Sequence, residues 1–427
     1  MAFSRRDFLQ RGGLFLGLGM LAPAFVTRAV EAAGEMPLGG TAGGKTSLVV
    51  IQMGGGNDGL NTVVPYADQT YYQLRPTLAV SQGDVLPMSG AVGLHPSLAP
   101  LKPLYDNGAL AIMQGVGYPN PNRSHFRSTD IWTTAEPDTN GTTGWLGRYI
   151  DAQCCGTAAP AQPENNLEGV QLGNMLSKAL WTQHAMVPAV GSLEQFRLAT
   201  DPHYPTSHDS RVNVFRQIYS QQPGSDAYEA LLTHAGLAAL DTSDVLTKVA
   251  GDYKTAVKYG TDPFSQSLRQ IAQLIHADLG TRVYYVSLGS FDTHANERRV
   301  HDTLLKTFAG GVAAFMQDMQ ALGKADQVAM MTFSEFGRRV KENAGNGTDH
   351  GTAAPMFLVG SKLKGGLYGT PPSLTDLDQN GDLKFGIDFR QVYATVLQDW
   401  LGADAPSILD GAAYPSLGFV PAAPGNA

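Results

Sequence analysis

Five short apolar runs with the composition of buried strands constrain the fold of this chain more than any other feature. They lie at 46–53 (TSLVVIQM), 109–116 (ALAIMQGV), 282–288 (RVYYVSL), 327–333 (QVAMMTF) and 354–359 (APMFLV). Stretches with helical spacing of apolar residues follow several of them, at 263–278, 300–322 and 388–401. Strands that alternate with helices in this order pair in parallel through right-handed crossovers. The sequence therefore predicts an α/β fold, three-layer and doubly wound, with a mostly parallel sheet and helices on both faces.

Residues 1–33 have the pattern of an export signal. Arg5 and Arg6 precede an apolar, glycine-rich run at 12–25, and small residues near Ala32 suit a cleavage site. The pattern is typical of a twin-arginine leader, and an ordinary secretory signal is the alternative. The run is too short to cross a bilayer comfortably. We therefore expect export by the twin-arginine machinery, a periplasmic or secreted protein, and no stable membrane span after signal removal.

The rest of the chain has the length and charge of one large acidic domain. Residues 45–420 are predicted to form a single domain, and the looser pattern at about 156–262 indicates an insertion or cap over it. The formal net charge is -8 and the pI is about 5.7. This balance provides no basic field, so nucleic acid is not an expected partner.

Polar clusters stand next to every one of the five predicted strands. In open α/β sheets, ligands bind outside the carboxyl ends of the strands. Four clusters follow a strand, and the last precedes the fifth strand closely enough to fold back over the same edge. The residues singled out on this ground are Asp58, Ser124, His125, Arg127, Asp292, His294, Glu335 and His350.

The residue types in these clusters indicate a metal site. Carboxylates and imidazoles hold Zn²⁺, Mn²⁺ or Mg²⁺, and a set of this size suits one or two ions. The predicted metal ligands are Asp58, Asp292, His294, Glu335 and His350. The glycines at 54–56 are expected to turn the chain and bring Asp58 toward the centre. Each residue also has an ordinary structural alternative, such as an ion pair between Glu335 and Arg338 or Arg339.

Ser124, His125 and Arg127 form the predicted catalytic set. A hydroxyl at a strand-to-helix turn is either a nucleophile that faces the positive end of the helix dipole or a plain helix cap. Both interpretations stay open for Ser124.

The acidic run 376–382 (DLDQNGD) partly matches a calcium loop. Asp376, Asp378 and Asn380 have the right offsets, but Ile387 stands where the bidentate Glu is due. An acidic turn is favoured over calcium binding here.

Several longer motifs resemble a known family. GGNDGLNTVVPY, GLHPSL, GYPNPNRSHF, SFDTHANE, FSEFGR, TDHGTAAPMFLVG and DFRQVYATVLQDWL resemble those of an exported bacterial family catalogued only as a domain of unknown function, usually with a twin-arginine leader. That family is similar in turn to the alkaline phosphatase and sulfatase superfamily, in which two metal sites flank a Ser or Thr nucleophile, or a formylglycine, on a doubly wound sheet.

The resemblance implies roles for individual residues. Asp58 takes the place of the first-strand Asp, Ser124 that of the nucleophile, and Asp292 with His294 the Asp and His of one metal site. His350 resembles the late His before a Pro-containing strand. This chain departs from the superfamily in the short spacing of Asp292 and His294, in Glu335 where Asp-His is usual, and in lacking the C-x-P-x-R signature of sulfatases.

The implied activity is metal-assisted hydrolysis of a phosphate or sulfate ester, in a small molecule or a polymer. Arg127 or Arg338 would add positive charge at the reacting group. The alternative is a non-catalytic secreted binding or cell-envelope interaction protein on the same scaffold, which Glu335 favours.

Overall fold

The computed structural model describes residues 46–154, 168–185, 187–193, 208–220, 249 and 251–421. The predicted export signal and much of the predicted insertion lie outside these residues. The strands are Ser47–Met53 (β1), Val63–Val64 (β2), Leu86–Pro87 (β3), Gly93–Leu94 (β4), Leu110–Gly117 (β5), Gly169–Leu172 (β6), Ala189–Val190 (β7), Val283–Leu288 (β8), Val328–Phe333 (β9), Arg338–Glu342 (β10), Thr348–His350 (β11), Ala354–Val359 (β12), Gly366–Tyr368 (β13) and Ile387–Asp388 (β14).

Helices of very different lengths connect these strands. They are Gly59–Thr62 (α1), Gln69–Leu74 (α2), Lys102–Asp106 (α3), His125–Thr134 (α4), Trp145–Cys154 (α5), His208–Ser220 (α6), Pro263–His276 (α7), Glu297–Ala321 (α8), Phe389–Thr395 (α9) and Ala405–Ile408 (α10). A 3₁₀ segment at Pro96–Leu101 leads into α3, and a π turn at Val396–Trp400 extends α9.

The central sheet has the order β13-β5-β12-β9-β1-β8-β6-β7, and β14 also pairs with β5. β1 pairs in parallel with β8 and β9, and β6 pairs in parallel with β8 and β7. The sheet is thus mostly parallel, as predicted. Two strands from the predicted insertion, β6 and β7, belong to this sheet.

One strand departs from the parallel pattern. β12 is antiparallel to both of its neighbours, β5 and β9. The chain between β9 and β12 contains the hairpin β10–β11 and no helix, so it returns without the crossover that parallel pairing needs. Consequently β12 begins at the edge where the other strands end.

The two faces of the sheet pack against separate helical layers. Along β1, Leu48 and Val50 point into one core and Val49 and Ile51 into the other, and all four are fully buried. The first core contains side chains of α4, α5, α9 and α10, and the second contains those of α7, α8 and the 3₁₀ segment. Burying one such side chain contributes about 1.5–3 kcal/mol. The predicted three-layer architecture with helices on both faces is confirmed.

The predicted boundaries of the strands hold within a few residues. The helix that follows the strand-to-helix turn begins at His125, directly after Ser124 in extended conformation. His125 therefore stands in the first turn of α4. None of the helices in the described ranges combines the length and apolarity that crossing a bilayer requires.

Candidate metal centre

The polar clusters meet at one edge of the sheet. β1, β5, β8 and β9 run in the same direction, so their carboxyl ends lie together. The antiparallel β12 begins at that edge and carries the preceding His350 there. The edge is therefore common to residues that are far apart in the chain.

Gly55 lets the loop after β1 pack directly on the loop after β8. Its φ is +118°, and a Cβ at this position would lie 2.5 Å from the amide nitrogen of Asp292. The amide of Phe291 donates a hydrogen bond to the carbonyl of Gly54 at 3.1 Å, which joins the two loops. Only glycine fits this approach. The glycine loop thus positions Asp292, whereas it was predicted to bring Asp58 toward the centre.

Three imidazoles surround the carboxylate of Asp292. Nε2 of His294 lies 3.1 Å and Nε2 of His350 lies 3.2 Å from its Oδ1. Nε2 of His125 lies 3.5 Å from its Oδ2. Ligand atoms of His125, Asp292 and His350 all lie within 4.8 Å of one another, and Nε2 of His294 is 2.9 Å from Nε2 of His350. Three nitrogens and a carboxylate oxygen are donors that Zn²⁺ accepts.

Each of the three rings is oriented by an oxygen acceptor at its Nδ1. The pairs are His125 with Oε1 of Glu335 at 2.8 Å, His350 with the carbonyl oxygen of Arg123 at 2.9 Å, and His294 with Oδ1 of Asp349 at 3.4 Å. Carbonyl and carboxylate oxygens accept hydrogen bonds, so a ring that carries a single proton holds it on Nδ1 and has its lone pair on Nε2. All three lone pairs therefore face Asp292, as in metal sites whose histidines are held by outer carboxylates and carbonyls.

His125 provides a test of whether these residues fit a cation. Its Nε2 is buried and has no hydrogen-bond partner among the described residues, although the side chain is 33% exposed. A buried polar atom without a partner costs about 1–3 kcal/mol. A cation at Nε2 would relieve this cost, so the residues present fit a divalent metal.

Arg338 fixes the charge of Asp292. The arginine is buried, and its Nη2 donates to Oδ1 of Asp292 at 2.7 Å. Burial raises the pKa of Asp292, but the hydrogen bond and the positive charge of Arg338 outweigh burial and lower the pKa to about 2. Burial also lowers the pKa of His350. Both shifts favour the forms that bind metal at neutral pH, an ionised carboxylate and a neutral imidazole.

The structure brings together only part of the predicted set. His125, Asp292, His294 and His350 share the cluster. Glu335, predicted as a ligand, uses Oε1 to accept hydrogen bonds from His125 and from the amide of Gly55 at 2.8 Å. Its position is that of a residue that orients His125.

Asp58 lies in a buried network of its own. The carboxylate is fully buried and forms an ion pair with Arg75, which is also fully buried. Burial raises the pKa of Asp58, but Arg75 outweighs this effect and holds the pKa well below its usual range. Burial and the Asp58 charge raise the pKa of Glu297. Because Arg75 already neutralises Asp58, the proposed metal ligands do not include Asp58.

Ser124 and Arg127 differ in what they can offer a substrate. Ser124 is exposed, stands at the N-cap position of α4, and makes no side-chain capping bond. The guanidinium of Arg127 already donates hydrogen bonds to neighbouring protein groups. Its acceptors are Asp130 at 2.7 Å and the carbonyls of Pro137 at 2.7 Å and Thr139 at 2.8 Å. Arg127 therefore braces the end of α4, and the arginine at the cluster is Arg338.

Two residues that orient histidines of the cluster were not predicted from the sequence. Arg123 acts through its backbone carbonyl, for which a sequence carries no signal. Asp349 lies at Nδ1 of His294, and its place directly before the predicted ligand His350 is the signal that could have indicated it. In the acidic run, Asp378 accepts the amides of Asn380 and Asp382, each at 2.8 Å, so this carboxylate caps its own turn.

Comparison with known proteins identifies a family. A family model described as "Protein of unknown function (DUF1501)" matches residues 108–411. No curated protein matches the chain.

Similar solved structures include three bacterial proteins. One is a protein in the alkaline phosphatase superfamily from Vibrio parahaemolyticus, with 9% identity, 90% of this chain and 77% of that chain covered, and a TM-score of 0.39. The C-terminal periplasmic domain of EcEptC from Escherichia coli has 11% identity, coverage of 89% and 88%, and a TM-score of 0.38. A sulfatase from Pseudoalteromonas sp. has 10% identity, coverage of 89% and 72%, and a TM-score of 0.35. Matches at these values carry no argument about activity.

Proposed function

Because the chain belongs to the family described as a protein of unknown function (DUF1501), a description that gives no reaction, we propose its function from the geometry of the site. The cluster of His125, Asp292, His294 and His350 binds one divalent cation, and the protein hydrolyses phosphate or sulfate esters. Three imidazole donors favour Zn²⁺ over Mg²⁺, which prefers oxygen ligands.

The observation that carries this proposal is the common direction of three Nε2 lone pairs. Each ring is held by an acceptor at Nδ1, and Nε2 of all three lies within 3.5 Å of an oxygen of Asp292. An Nδ1 acceptor behind each ring leaves all three Nε2 atoms directed at one carboxylate. A shared cation gives a reason for this arrangement.

The chain contributes orientation, charge and a hydroxyl to the reaction. A bound divalent cation supplies a Lewis acid that lowers the pKa of a hydroxyl or water and stabilises charge on the ester oxygens. Arg338 keeps Asp292 ionised, and Glu335 keeps His125 in place. Ser124, exposed and next to His125, is the proposed nucleophile: its oxygen bonds to phosphorus or sulfur, the bond to the ester oxygen breaks, and the alcohol leaves with the hydroxyl proton. Water then releases the bound group.

Metal analysis of the purified full chain tests the site. We expect close to one equivalent of Zn²⁺ or Mn²⁺, and its loss in Asp292→Ala. Asp326→Ala is the matched control, because Asp326 is exposed and pairs only with surface groups, Lys362 at 2.8 Å and Ser361 at 2.8 Å. Absence of metal from the wild-type protein, also after incubation with each ion, refutes the proposed centre.

A screen with phosphate monoesters, phosphate diesters and aryl sulfates tests the reaction. With the metal bound, turnover that is lost in Ser124→Ala and kept in Asp326→Ala supports the hydrolase and the nucleophile. Turnover that survives Ser124→Ala assigns the attack to water instead.

One observation favours the non-catalytic alternative. Among the described residues, no general base hydrogen-bonds the Ser124 hydroxyl, and the nearby Glu335 is occupied by His125. A secreted or cell-envelope binding protein could use the same metal centre without turnover. Bound metal with no hydrolysis of any ester in the screen selects this alternative.

Export by the twin-arginine machinery to the periplasm or exterior is part of the proposal. It rests on Arg5 and Arg6 before the apolar run. Replacing both by lysine should keep the protein in the cytoplasm, and unchanged export of that variant argues for an ordinary secretory signal.

A further inference from the structure

We propose that Arg123 and Arg339 form a second anion-binding subsite beside the metal centre, and that the natural ligand carries a second phosphate or sulfate group. The assignment of this subsite to the substrate rests on the proposed hydrolase function. The subsite itself rests on the arrangement of two arginines around one buried carboxylate.

Asp382 holds both guanidinium groups. Its side chain is fully buried; Nη1 of Arg123 lies 3.1 Å from its Oδ2 and Nε of Arg339 lies 3.4 Å from its Oδ1. The arginine side chains remain 35% and 39% exposed. Asp382 thus hydrogen-bonds the guanidinium of Arg123 and lies within ion-pair distance of the guanidinium of Arg339.

The charge balance of this trio is positive. One guanidinium would neutralise Asp382, and the second leaves an excess charge of one unit. Within the described part of the chain, no other carboxylate lies within ion-pair distance of Arg123 or Arg339. Guanidinium groups with free N–H donors match the oxygens of phosphate and sulfate. The surplus charge is therefore available to an anionic ligand.

The position of the pair links it to the metal centre. The carbonyl of Arg123 orients His350, and Ser124 is the next residue. Arg339 follows Arg338 in β10, and successive side chains of a strand point to opposite faces. Accordingly Arg338 reaches Asp292 while Arg339 reaches Asp382. Arg123 is therefore the member of the pair that connects it to the metal centre, and a ligand with one anionic group at the metal would have to extend past Ser124 to place a second group at the arginine pair.

A purely structural role for the trio makes a different prediction. Asp382 could serve only to tie the loop before α4 to β10 and to the acidic turn. In that case the loss of either arginine lowers stability and leaves anion binding unchanged. The two roles are separable because the side chains can be altered without touching the Arg123 carbonyl that holds His350.

Calorimetric titration of the full, metal-loaded chain tests the subsite by binding and needs no turnover. The probes are fructose 1,6-bisphosphate against fructose 6-phosphate, and a disulfated disaccharide against its monosulfated counterpart. We expect Arg123→Gln and Arg339→Gln each to weaken binding of the probe with two anionic groups about tenfold or more, as for loss of a charge-assisted contact. Binding of the probe with one anionic group should change by less than about twofold, and the preferred pair of probes tells phosphate from sulfate.

Three comparisons complete the experiment. Arg211→Gln, an exposed arginine on α6, should bind every probe as the wild type does. Arg339→Lys keeps the charge and should keep most of the affinity, which separates binding from damage to the fold. In the Asp292→Ala background, Arg339→Gln should still weaken bisphosphate binding. This comparison separates failure of the subsite from failure of the proposed metal site. The proposed subsite is overturned if the wild type binds probes with two and with one anionic group equally. It is also overturned if binding is unchanged in both Gln variants.

Discussion

Replacing Asp58 by asparagine separates a structural role for this buried acid from the metal-binding role that its sequence position suggested. In the structure, both Asp58 and its partner Arg75 have fully buried side chains. We expect Asp58→Asn to destabilise the fold and to leave the metal content unchanged. Asp292→Asn should do the opposite, because Asp292 is 45% exposed and lies in the cluster.

The size of the effect follows from what remains around Arg75. Removing one member of a buried ion pair costs about 3–5 kcal/mol, because the other charge is left uncompensated. Arg75 keeps hydrogen bonds to the carbonyls of Val340 and Arg339, each at 2.8 Å, and Glu297 can ionise in place of Asp58. These contacts place the cost at the lower end, near ~3 kcal/mol.

This cost converts into a measurable shift of the melting temperature. With about 2.1 cal/mol/K of unfolding entropy per residue, a domain with the predicted bounds 45–420 has an unfolding entropy of about 0.8 kcal/mol/K. A loss of ~3 kcal/mol then lowers Tm by about 4 °C. Circular dichroism melts and metal analysis of the same samples give both quantities.

A second variant shows whether Glu297 compensates. The double replacement Asp58→Asn with Glu297→Gln removes both acids and should move the cost toward ~5 kcal/mol, or about 6 °C. The reasoning fails if Asp58→Asn loses its metal while its Tm stays within a degree or so of the wild-type value. Asp58 would then be a ligand after all.

Three further results are expected. Burial and the neighbouring Asp58 raise the pKa of Glu297 from 4.5 to about 9. A carboxyl group with a raised pKa in the native state stabilises the fold below its unfolded pKa, and this contribution is lost as the pH rises through the native pKa. Wild-type Tm should therefore fall between about pH 5 and 9 and Glu297→Gln should lack this component, so parallel curves of Tm against pH for the two proteins would contradict the prediction. Gly55→Ala should lower the free energy of unfolding by about 1–3 kcal/mol and weaken metal binding, since the added Cβ meets the Asp292 backbone. Equal metal affinity of the variant and the wild type in a titration would argue against the contact between the loops after β1 and β8. Gly310→Ala, in α8 with no atom within 4 Å of its Cβ, should raise stability by about 0.5–1 kcal/mol, and a lowered Tm would show hidden crowding.

The strand ends were predictable because their signals are local. An apolar β-branched run followed by polar residues identifies a buried strand and its end without reference to the rest of the chain, and the predicted run 354–359 matches β12 residue for residue. His125, Asp292, His294 and His350 were found for this reason. Parallel topology then places such ends together, whichever residues they carry.

The roles of the polar groups were not predictable in the same way. Asp58 has the same local signal as Asp292, and only the packing of Arg75 against it, 17 residues away in sequence, shows that its charge is already satisfied. Glu335 looks like a ligand until His125 is seen on its Oε1. Arg123 takes part through a backbone carbonyl, which every residue has.

The sequence by itself therefore determined the α/β class, the strands and the edge at which polar residues gather, because hydrophobic periodicity and strand ends are written in neighbouring residues. Only the tertiary structure decided which of those residues face one another. The absence of a crossover helix before β12 makes that strand antiparallel and brings His350 beside Asp292 and His294. Ion pairing and ring orientation depend on distances across the chain, and these distances exist only once the sheet has formed.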